Sequence, residues 1–297
     1  MMNRVAIIGA GLMGHGLAVV FADGGHEVSI TDVFPDVLAS AKKRVAETLK
    51  SLGKGEAAAD RVTAVATLEE AARTADIIIE AAPEKLELKQ RIFADLEAAA
   101  PRRALLCSNT SVIPIRAVAA RVTTKDRVLG THWWNPPYVV PLVEVIETEG
   151  ASPESVQQMI SLLRGLGKVA VHVKKDVPGF VGNRLQHALW REAISLVERG
   201  VCDAETVDLV VQNSFGRRLA VLGPLANADL VGTDLTLDIH KQVLADLESS
   251  GKPSPYLEDL VAAGRLGFKS NQGFMSWDEE KKKSLRAKVM EHLRKFL

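Results

Sequence analysis

The stretch Val5–Asp32, VAIIGAGLMGHGLAVVFADGGHEVSITD, constrains the chain more than any other. Val5-Ala6-Ile7-Ile8 has the continuous apolar character of a buried parallel strand. It runs into Gly9-Ala10-Gly11-Leu12-Met13-Gly14, then a helical pattern, then a β-rich run, Glu27–Thr31, ending at Asp32. Strand, glycine turn, helix, strand and acid in this order is the layout of a dinucleotide site. Gly9 permits the tight turn, Gly11 carries no Cβ to keep a pyrophosphate off the backbone, and Gly14 lets the helix approach the sheet. Leu12 and Met13 open the helix whose free N–H groups and positive dipole end face the phosphates. Asp32 accepts from both ribose hydroxyls and repels a 2′-phosphate, so NAD is expected over NADP; Arg4 and Lys42 are not placed as a phosphate clamp. Glycines also mark ordinary turns, and Val5–Ala22, free of Asp, Glu, Lys and Arg, touches the lower length limit of a membrane span. His15 and the interrupting glycines, set between two strands, favour the nucleotide site.

The rest of the composition is ordinary for a soluble globular protein. At 297 residues, with 47% apolar and 25% charged residues, the chain makes one large or two medium domains. Its formal net charge of zero implies no basic face, so nucleic acid is not expected as a partner. The N-terminus lacks the layout of a signal peptide, and no membrane association is expected. Cys107 and Cys202 form neither a metal-ligand spacing nor a disulfide framework, which points to a reducing cytoplasm and no metal site.

Helical and strand patterns alternate along the first part of the chain. Helices are expected from Pro35 to about Leu52, at Leu68–Arg73, Leu86–Ala99, Ile113–Ala120 and Pro153–Gly165. Strands are expected at Val62–Ala66, Asp76–Ala81, Ala104–Ser108, Arg127–Thr131, Leu142–Thr148 and Val169–Lys174. This predicts an α/β fold with a doubly wound, mostly parallel sheet, and ligands at the C-terminal strand ends. Ser111 and His132 each follow such an end. From Pro178 the texture turns helical, with runs at Phe180–Glu198, Ala204–Gln212, Asp234–Glu248, Tyr256–Ala263 and Asp278–Phe296. The expected division is therefore 1–177 for the nucleotide-binding domain and 178–297 for an all-α C-terminal domain.

One acid stands out. Glu144 interrupts the apolar strand Leu142-Val143-Glu144-Val145-Ile146, and an unpaired buried carboxylate is costly. His132, at the adjoining strand end, is the nearest candidate partner. A His–Glu pair holds the imidazole in one tautomer and suits it to take a hydroxyl proton. The alternative is a core histidine with a surface glutamate on an edge strand.

Several segments together resemble the 3-hydroxyacyl-CoA dehydrogenase family: IIGAGLMG (Ile7–Gly14), AAPEKLELKQ (Ala81–Gln90), SNTSVIPI (Ser108–Ile115), THWWNPPYVVPLVEVI (Thr131–Ile146), DVPGFVGNR (Asp176–Arg184) and GPLANADLVGTD (Gly223–Asp234). The resemblance implies a Rossmann sheet followed by an α-helical domain for substrate binding and dimerisation. It makes His132 the base, Glu144 its orienting partner, and Ser111 and Asn183 the groups that hold the substrate oxygen. It places Glu80, Lys85 and Asn109 at the cofactor, and Trp133 and Asn135 at the substrate. Read without it, Ser111 caps the following helix and Asn183 is a polar position near a helix start. The implied reaction is reversible, NAD-dependent oxidation of an L-3-hydroxyacyl-CoA in fatty-acid metabolism, by a homodimer.

Three departures bear on the substrate. Trp133-Trp134 stands where the family usually has two phenylalanines. The segment Leu38–Val62, where CoA leans in the family, is short. Asn135-Pro136-Pro137-Tyr138 and Phe180–Glu192 resemble relatives that oxidise free hydroxy acids, the L-gulonate and L-carnitine dehydrogenases. Trp133, Trp134 and Trp190 either offer aromatic faces to a quaternary ammonium or simply pack. The leading expectation is the acyl-CoA substrate; the alternatives are a small free 3-hydroxy acid and a catalytically silent NAD-binding protein.

Overall fold

A computed structural model of the chain describes residues 2–295. The chain divides after Arg184 into two compact units. The first is built on one sheet whose strands are β1 (Arg4–Ile8), β2 (Glu27–Thr31), β3 (Val62–Ala64), β4 (Ile77–Glu80), β5 (Leu105–Ser108), β6 (Val128–Trp133), β7 (Leu142–Glu147) and β8 (Val169–Val173). They lie in the order β3-β2-β1-β4-β5-β6-β7-β8. Helices α1 (Leu12–Asp23), α2 (Pro35–Ser51), α3 (Leu68–Ala72), α4 (Leu86–Ala99), α5 (Ile115–Val118) and α6 (Pro153–Gly165) connect them. Two apolar layers cover the sheet, one around Phe21, Val45, Trp133 and Met159, the other around Phe93, Leu106, Ile115 and Phe180. The doubly wound, mostly parallel architecture is the expected one.

Every pairing is parallel except β6 with β7. The reason is chain length. Only residues 134–141 join these strands, and a parallel crossover needs a dozen residues or more. The reversal aligns His132 directly opposite Glu144. It also extends β6 beyond its expected end at Thr131, so that His132 lies within the ladder rather than after it. The expected helix Ile113–Ala120 is confined to α5 and a following 3₁₀ turn, because Pro114 sits at the N-cap and Thr110 Oγ1 holds the Ile113 amide outside the helix. The expected strand to Ala66 stops at Ala64, where Thr67 begins to cap α3.

The glycine turn fixes the sheet's centre. Gly9 has φ +105°, and a Cβ there would lie 2.8 Å from the Ala81 carbonyl oxygen on the neighbouring chain segment. A Cβ on Gly14 would lie 1.7 Å from the Gly9 carbonyl oxygen. The helix thus packs onto the turn at a distance only glycine allows. Val5–Ala22, long enough by count to suggest a span, is divided into β1 and α1, and no helix among the described residues is long and apolar enough to cross a membrane.

The second unit is helical, as expected. Helix α7 (Gly182–Glu198) enters it, followed by α8 (Ala204–Asn213), α9 (Pro224–Val231), α10 (Thr233–Val243), α11 (Pro255–Ala262) and α12 (Glu279–Arg294). Helix α9 is absent from the sequence reading, since PLANADLV shows no single apolar face. The last residues of the expected helix to Phe296 lie outside the described residues. Trp190, Leu260, Phe274 and Trp277 line an apolar hollow of about 800 Å³ within this unit.

The two glycines separate fold from binding. Gly14→Ala is expected to lose at least about 3 kcal/mol of stability, because its Cβ meets backbone that cannot move aside. Gly11→Ala is expected to stay within about 0.5 kcal/mol of wild type, since nothing lies within 4 Å of its Cβ, yet to weaken NAD. Thermal denaturation with and without NAD checks both; a stable Gly14→Ala would refute the packing argument.

Candidate active site

The alternation of β6 and β7 sends His132 and Glu144 to one face of the sheet and Trp133, Val143 and Val145 to the other. His132 and Glu144 are 3% and 1% exposed, so the pair is buried and the reading of a surface glutamate on an edge strand is set aside. His132 Nδ1 lies 2.7 Å from Glu144 Oε2. The other carboxylate oxygen accepts from the Val181 and Gly182 amides at 2.9 and 3.0 Å, at the N-terminus of α7. Burial pushes the Glu144 carboxyl up, but hydrogen bonds from His132 and these two amides outweigh it and hold the group below its ordinary value. With Nδ1 engaged, Nε2 is the His132 nitrogen left for a ligand. Phe180, just before α7, has φ +51°, a conformation that costs roughly 1–3 kcal/mol outside glycine. Burial of its ring 5.6 Å from the His132 ring holds it there.

Ser111 lies on the exposed loop after β5, and its carbonyl accepts from Asn183 Nδ2 at 2.8 Å. Ser111 does not cap the following helix; Pro114 is at the N-cap, and the Asp176 carboxylate accepts from the Ile115 and Arg116 amides at 3.0 and 2.7 Å. Asn109 accepts from the Trp133 amide at 3.1 Å, tying the end of β5 to β6. Ser111, Asn183, His132 and Glu144 are therefore brought into one connected region of the first unit, as the sequence suggested.

Two expectations change. Trp133 is 2% exposed and packs in the α1-side core, edge-on to Phe21 at 5.8 Å, so it does not face the ligand side with His132. Glu80 is fully buried and serves Lys89, whose Nζ lies 2.7 Å from its Oε1, while Ser108 Oγ donates to its other oxygen at 2.6 Å. Lys85 is exposed at the N-cap of α4. The residues missed are Glu84 and Lys89. Glu84 accepts from the Thr110 hydroxyl and from the Ser111 and Val112 amides, at 3.1 and 3.3 Å for the amides. Burial opposes the ionised Glu84, but Thr110, Lys89 and the loop amides keep its carboxyl below the ordinary value. The signal was present: Lys89, Phe93 and Leu96 share the buried face of α4, and a lysine on an apolar face needs a carboxylate.

The cofactor side has the shape of a dinucleotide cradle. Gly11 is the N-cap of α1 with no side-chain cap, leaving its first-turn amides available, and space is open where its Cβ would stand. Leu12 is exposed beside it and Met13 half-buried. The Asp32 carboxylate is fixed by the Ala10 amide at 2.6 Å and the Phe34 amide at 2.9 Å, and remains partly open. These residues fit NAD. Asn135 is exposed beyond the end of β6. Burial pushes the Cys107 thiol up, so it stays protonated.

Glu144→Gln tests the pair. Because the carboxyl is lowered in the folded state, its contribution to stability is present in full above pH 4.5 and is lost as pH falls below that. The variant should be less stable than wild type at pH 7, and the gap should narrow on acidification below 4.5. Its turnover should fall at least about 100-fold. Denaturation at a series of pH values, with initial rates, reads both; a gap that widens on acidification would contradict the ionised pair.

Comparison with known proteins identifies the family. Residues 4–177 match the model of the 3-hydroxyacyl-CoA dehydrogenase NAD-binding domain, and residues 179–277 match that of its C-terminal domain. The chain is 37% identical over 292 residues to 5-formyl-3-hydroxy-2-methylpyridine 4-carboxylate 5-dehydrogenase of Mesorhizobium japonicum, covering 97% of this chain and 94% of that protein. It is 37% identical to a probable 3-hydroxybutyryl-CoA dehydrogenase of Bacillus subtilis, covering 94% and 98%. The crystal structure of a 5-formyl-3-hydroxy-2-methylpyridine 4-carboxylic acid 5-dehydrogenase, described as an NAD+-dependent dismutase, superposes with a TM-score of 0.91 at 34% identity, covering 100% of this chain and 97% of that one. The chain belongs to the 3-hydroxyacyl-CoA dehydrogenase family and is an NAD-dependent dehydrogenase acting on a CH–OH group.

Proposed function

We propose that this dehydrogenase acts on a small free hydroxy acid rather than on an acyl-CoA. The observation that carries the reading lies in the segment Leu38–Val62, where a CoA would lean. Its lysines are all paired: Lys42 with Asp60 at 3.0 Å, Lys43 with Glu47 at 3.8 Å, Lys50 with Glu56 at 3.5 Å, and Lys54 with Asp23. Its arginines donate to carbonyls, Arg44 to Ala10 and Val37, and Arg61 to Ala22. Exposed pairs are worth only about 0–1 kcal/mol each, but each of the four lysines faces a carboxylate and both guanidiniums are turned to backbone carbonyls, which reduces the charge left open to CoA phosphates. The likeness to a pyridine-carboxylate dehydrogenase over nearly the whole chain supports the same reading. The second reading, an L-3-hydroxyacyl-CoA substrate, draws on the family's name and the Bacillus subtilis relative. A silent NAD-binding role leaves the buried His132–Glu144 pair without a purpose.

In this proposal His132 Nε2 takes the proton of the substrate hydroxyl while Glu144 holds the ring through Nδ1. Ser111 and Asn183 hold the oxygen as carbonyl character develops. Glu84 and Lys89 keep the Ser111 loop in place. Gly9, Gly11, Leu12, Met13, Gly14, Asp32 and Asn109 hold NAD, which when bound accepts the hydride. Residues 178–297 would bind substrate and dimerise. Val221, Leu225 and Leu230 in the second unit are 93%, 81% and 73% exposed, apolar surface that a second copy would cover. The unpaired thiols Cys107 and Cys202 suit a cytoplasmic location.

The test is NAD reduction with a panel of free 3-hydroxy acids and hydroxymethyl aromatic acids beside 3-hydroxybutyryl-CoA. The best free acid should exceed the thioester in kcat/KM by about 100-fold or more. A thioester preferred over every free acid would replace this reading with the second.

A further inference from the structure

Ala10, inside the glycine turn, is held from two sides by side chains of other elements. Its N–H donates to Asp32 Oδ2, just past β2, at 2.6 Å. Its carbonyl accepts from a guanidinium nitrogen of Arg44 on α2 at 2.5 Å, and that nitrogen also reaches the Val37 carbonyl at 3.2 Å. The Ala10–Gly11 peptide is trans, so its carbonyl and its N–H point opposite ways. Drawing the Ala10 carbonyl to Arg44 therefore turns the Gly11 N–H away from α2. That N–H has no acceptor among the described residues, and it stands at an exposed residue with open space where a Cβ would be. Arg44 meanwhile forms no ion pair among the described residues, and its Nε is buried without a hydrogen-bond partner. The four lysines of the same segment, by contrast, each face a carboxylate. Thr48, one helical turn beyond Arg44, contacts His15 Nε2 at 3.2 Å, and His15 Nδ1 lies 3.0 Å from the Leu12 carbonyl oxygen. Burial first, with the Arg44 charge adding to it, holds the His15 imidazole below its ordinary value against the pull of the Leu12 carbonyl. One face of α2 thus serves the turn and brings it an unmatched positive charge.

We propose that Arg44 is a positioning residue for the cofactor's pyrophosphate: it holds the Ala10 carbonyl inward so that the Gly11 N–H is presented to the anion, and its charge favours the anion that the turn receives. A turn built on glycines is permissive, and a flip of the Ala10–Gly11 peptide would point the donor inward. Fixing the peptide beforehand removes an ordering cost from binding. A guanidinium suits the task, because it stays charged when half-buried and carries several donors in a rigid plane. In this reading Asp32 serves the ribose and Arg44 the phosphates. Ligands that carry a pyrophosphate should sense Arg44, and a nucleoside should not.

Binding of ADP-ribose and of adenosine, each measured by displacement of NADH fluorescence, separates the two. Arg44→Met should weaken ADP-ribose about 10-fold or more, the loss expected for a hydrogen bond to a charged group, and leave adenosine within about twofold of wild type. With NAD the loss should appear in KM, while kcat at saturating NAD stays near that of wild type. Arg44→Lys keeps the charge and a donor, and should bind ADP-ribose at least about threefold more tightly than Arg44→Met. An Arg44→Met protein that binds ADP-ribose within about twofold of wild type overturns the proposal. An equal loss for adenosine and ADP-ribose makes Arg44 structural and also overturns it, as does an Arg44→Lys protein no better than Arg44→Met. If Arg44→Met does not fold, Arg44→Gln, which keeps a neutral donor, is read in its place: weakened ADP-ribose with unchanged adenosine supports the proposal, and equal losses or none overturn it.

Discussion

The Glu144 carboxylate is the contact on which the arrangement depends. It is buried in β7 and accepts from His132 on β6 and from the Val181 and Gly182 amides that begin α7. One anion thus satisfies a histidine and two helix-terminal donors, and its negative charge sits where the helix dipole favours it. It also fixes register. A one-residue slip of β7 would send Glu144 into the apolar layer around Trp133, Val143 and Val145, where no partner waits. Site and sheet edge are therefore specified by the same atoms.

The loop after β5 connects this pair to the cofactor side. Asn109 holds the Trp133 amide, Ser111 receives Asn183, and Glu84 gathers the Thr110, Ser111 and Val112 donors. Behind it, Lys89 bridges Glu80 and Glu84 at 2.7 and 3.4 Å. Lys89 and Glu80 are almost wholly buried, and removing one partner would strand the other; such losses run to about 3–5 kcal/mol. The loop is held from below by charge and from the side by backbone bonds, and this stiffness suits the role proposed for the Ser111 hydroxyl.

Much of this was legible in the sequence because it is written in local terms. The glycine turn, Asp32 and the alternation of strands and helices depend on spacing, and they appear in the expected order, with shifted ends at β3, α5 and β6. Glu144 was legible because a carboxylate in an apolar strand demands a partner, and His132 was the near one. What was not legible depends on which face a residue occupies. Trp133 and Trp134 are equivalent in the sequence; the pleat sends one into the core and the other to the base. Glu80 and Glu84, and likewise Lys85 and Lys89, differ by a single helical turn or loop offset, and only the buried face of α4 separates structural from exposed positions. The antiparallel β6–β7 step was hidden in the length of its connection.

The substrate question reduces to the same distinction between types of residue and their placement. By count the lysines and arginines of Leu38–Val62 would offer CoA phosphates a basic surface, whereas placement sets the lysines against Asp60, Glu47, Glu56 and Asp23 and turns Arg44 and Arg61 to backbone carbonyls. Counting aromatics after His132 leaves a pair of apolar rings, whereas placement puts one in the core against Phe21 and the other beside the base, in the space that Gly182 leaves. The lysines and arginines of the segment are thus engaged within the chain. A ligand that brings no phosphates to Leu38–Val62 suits that placement, and this is the ground on which the free-acid proposal stands.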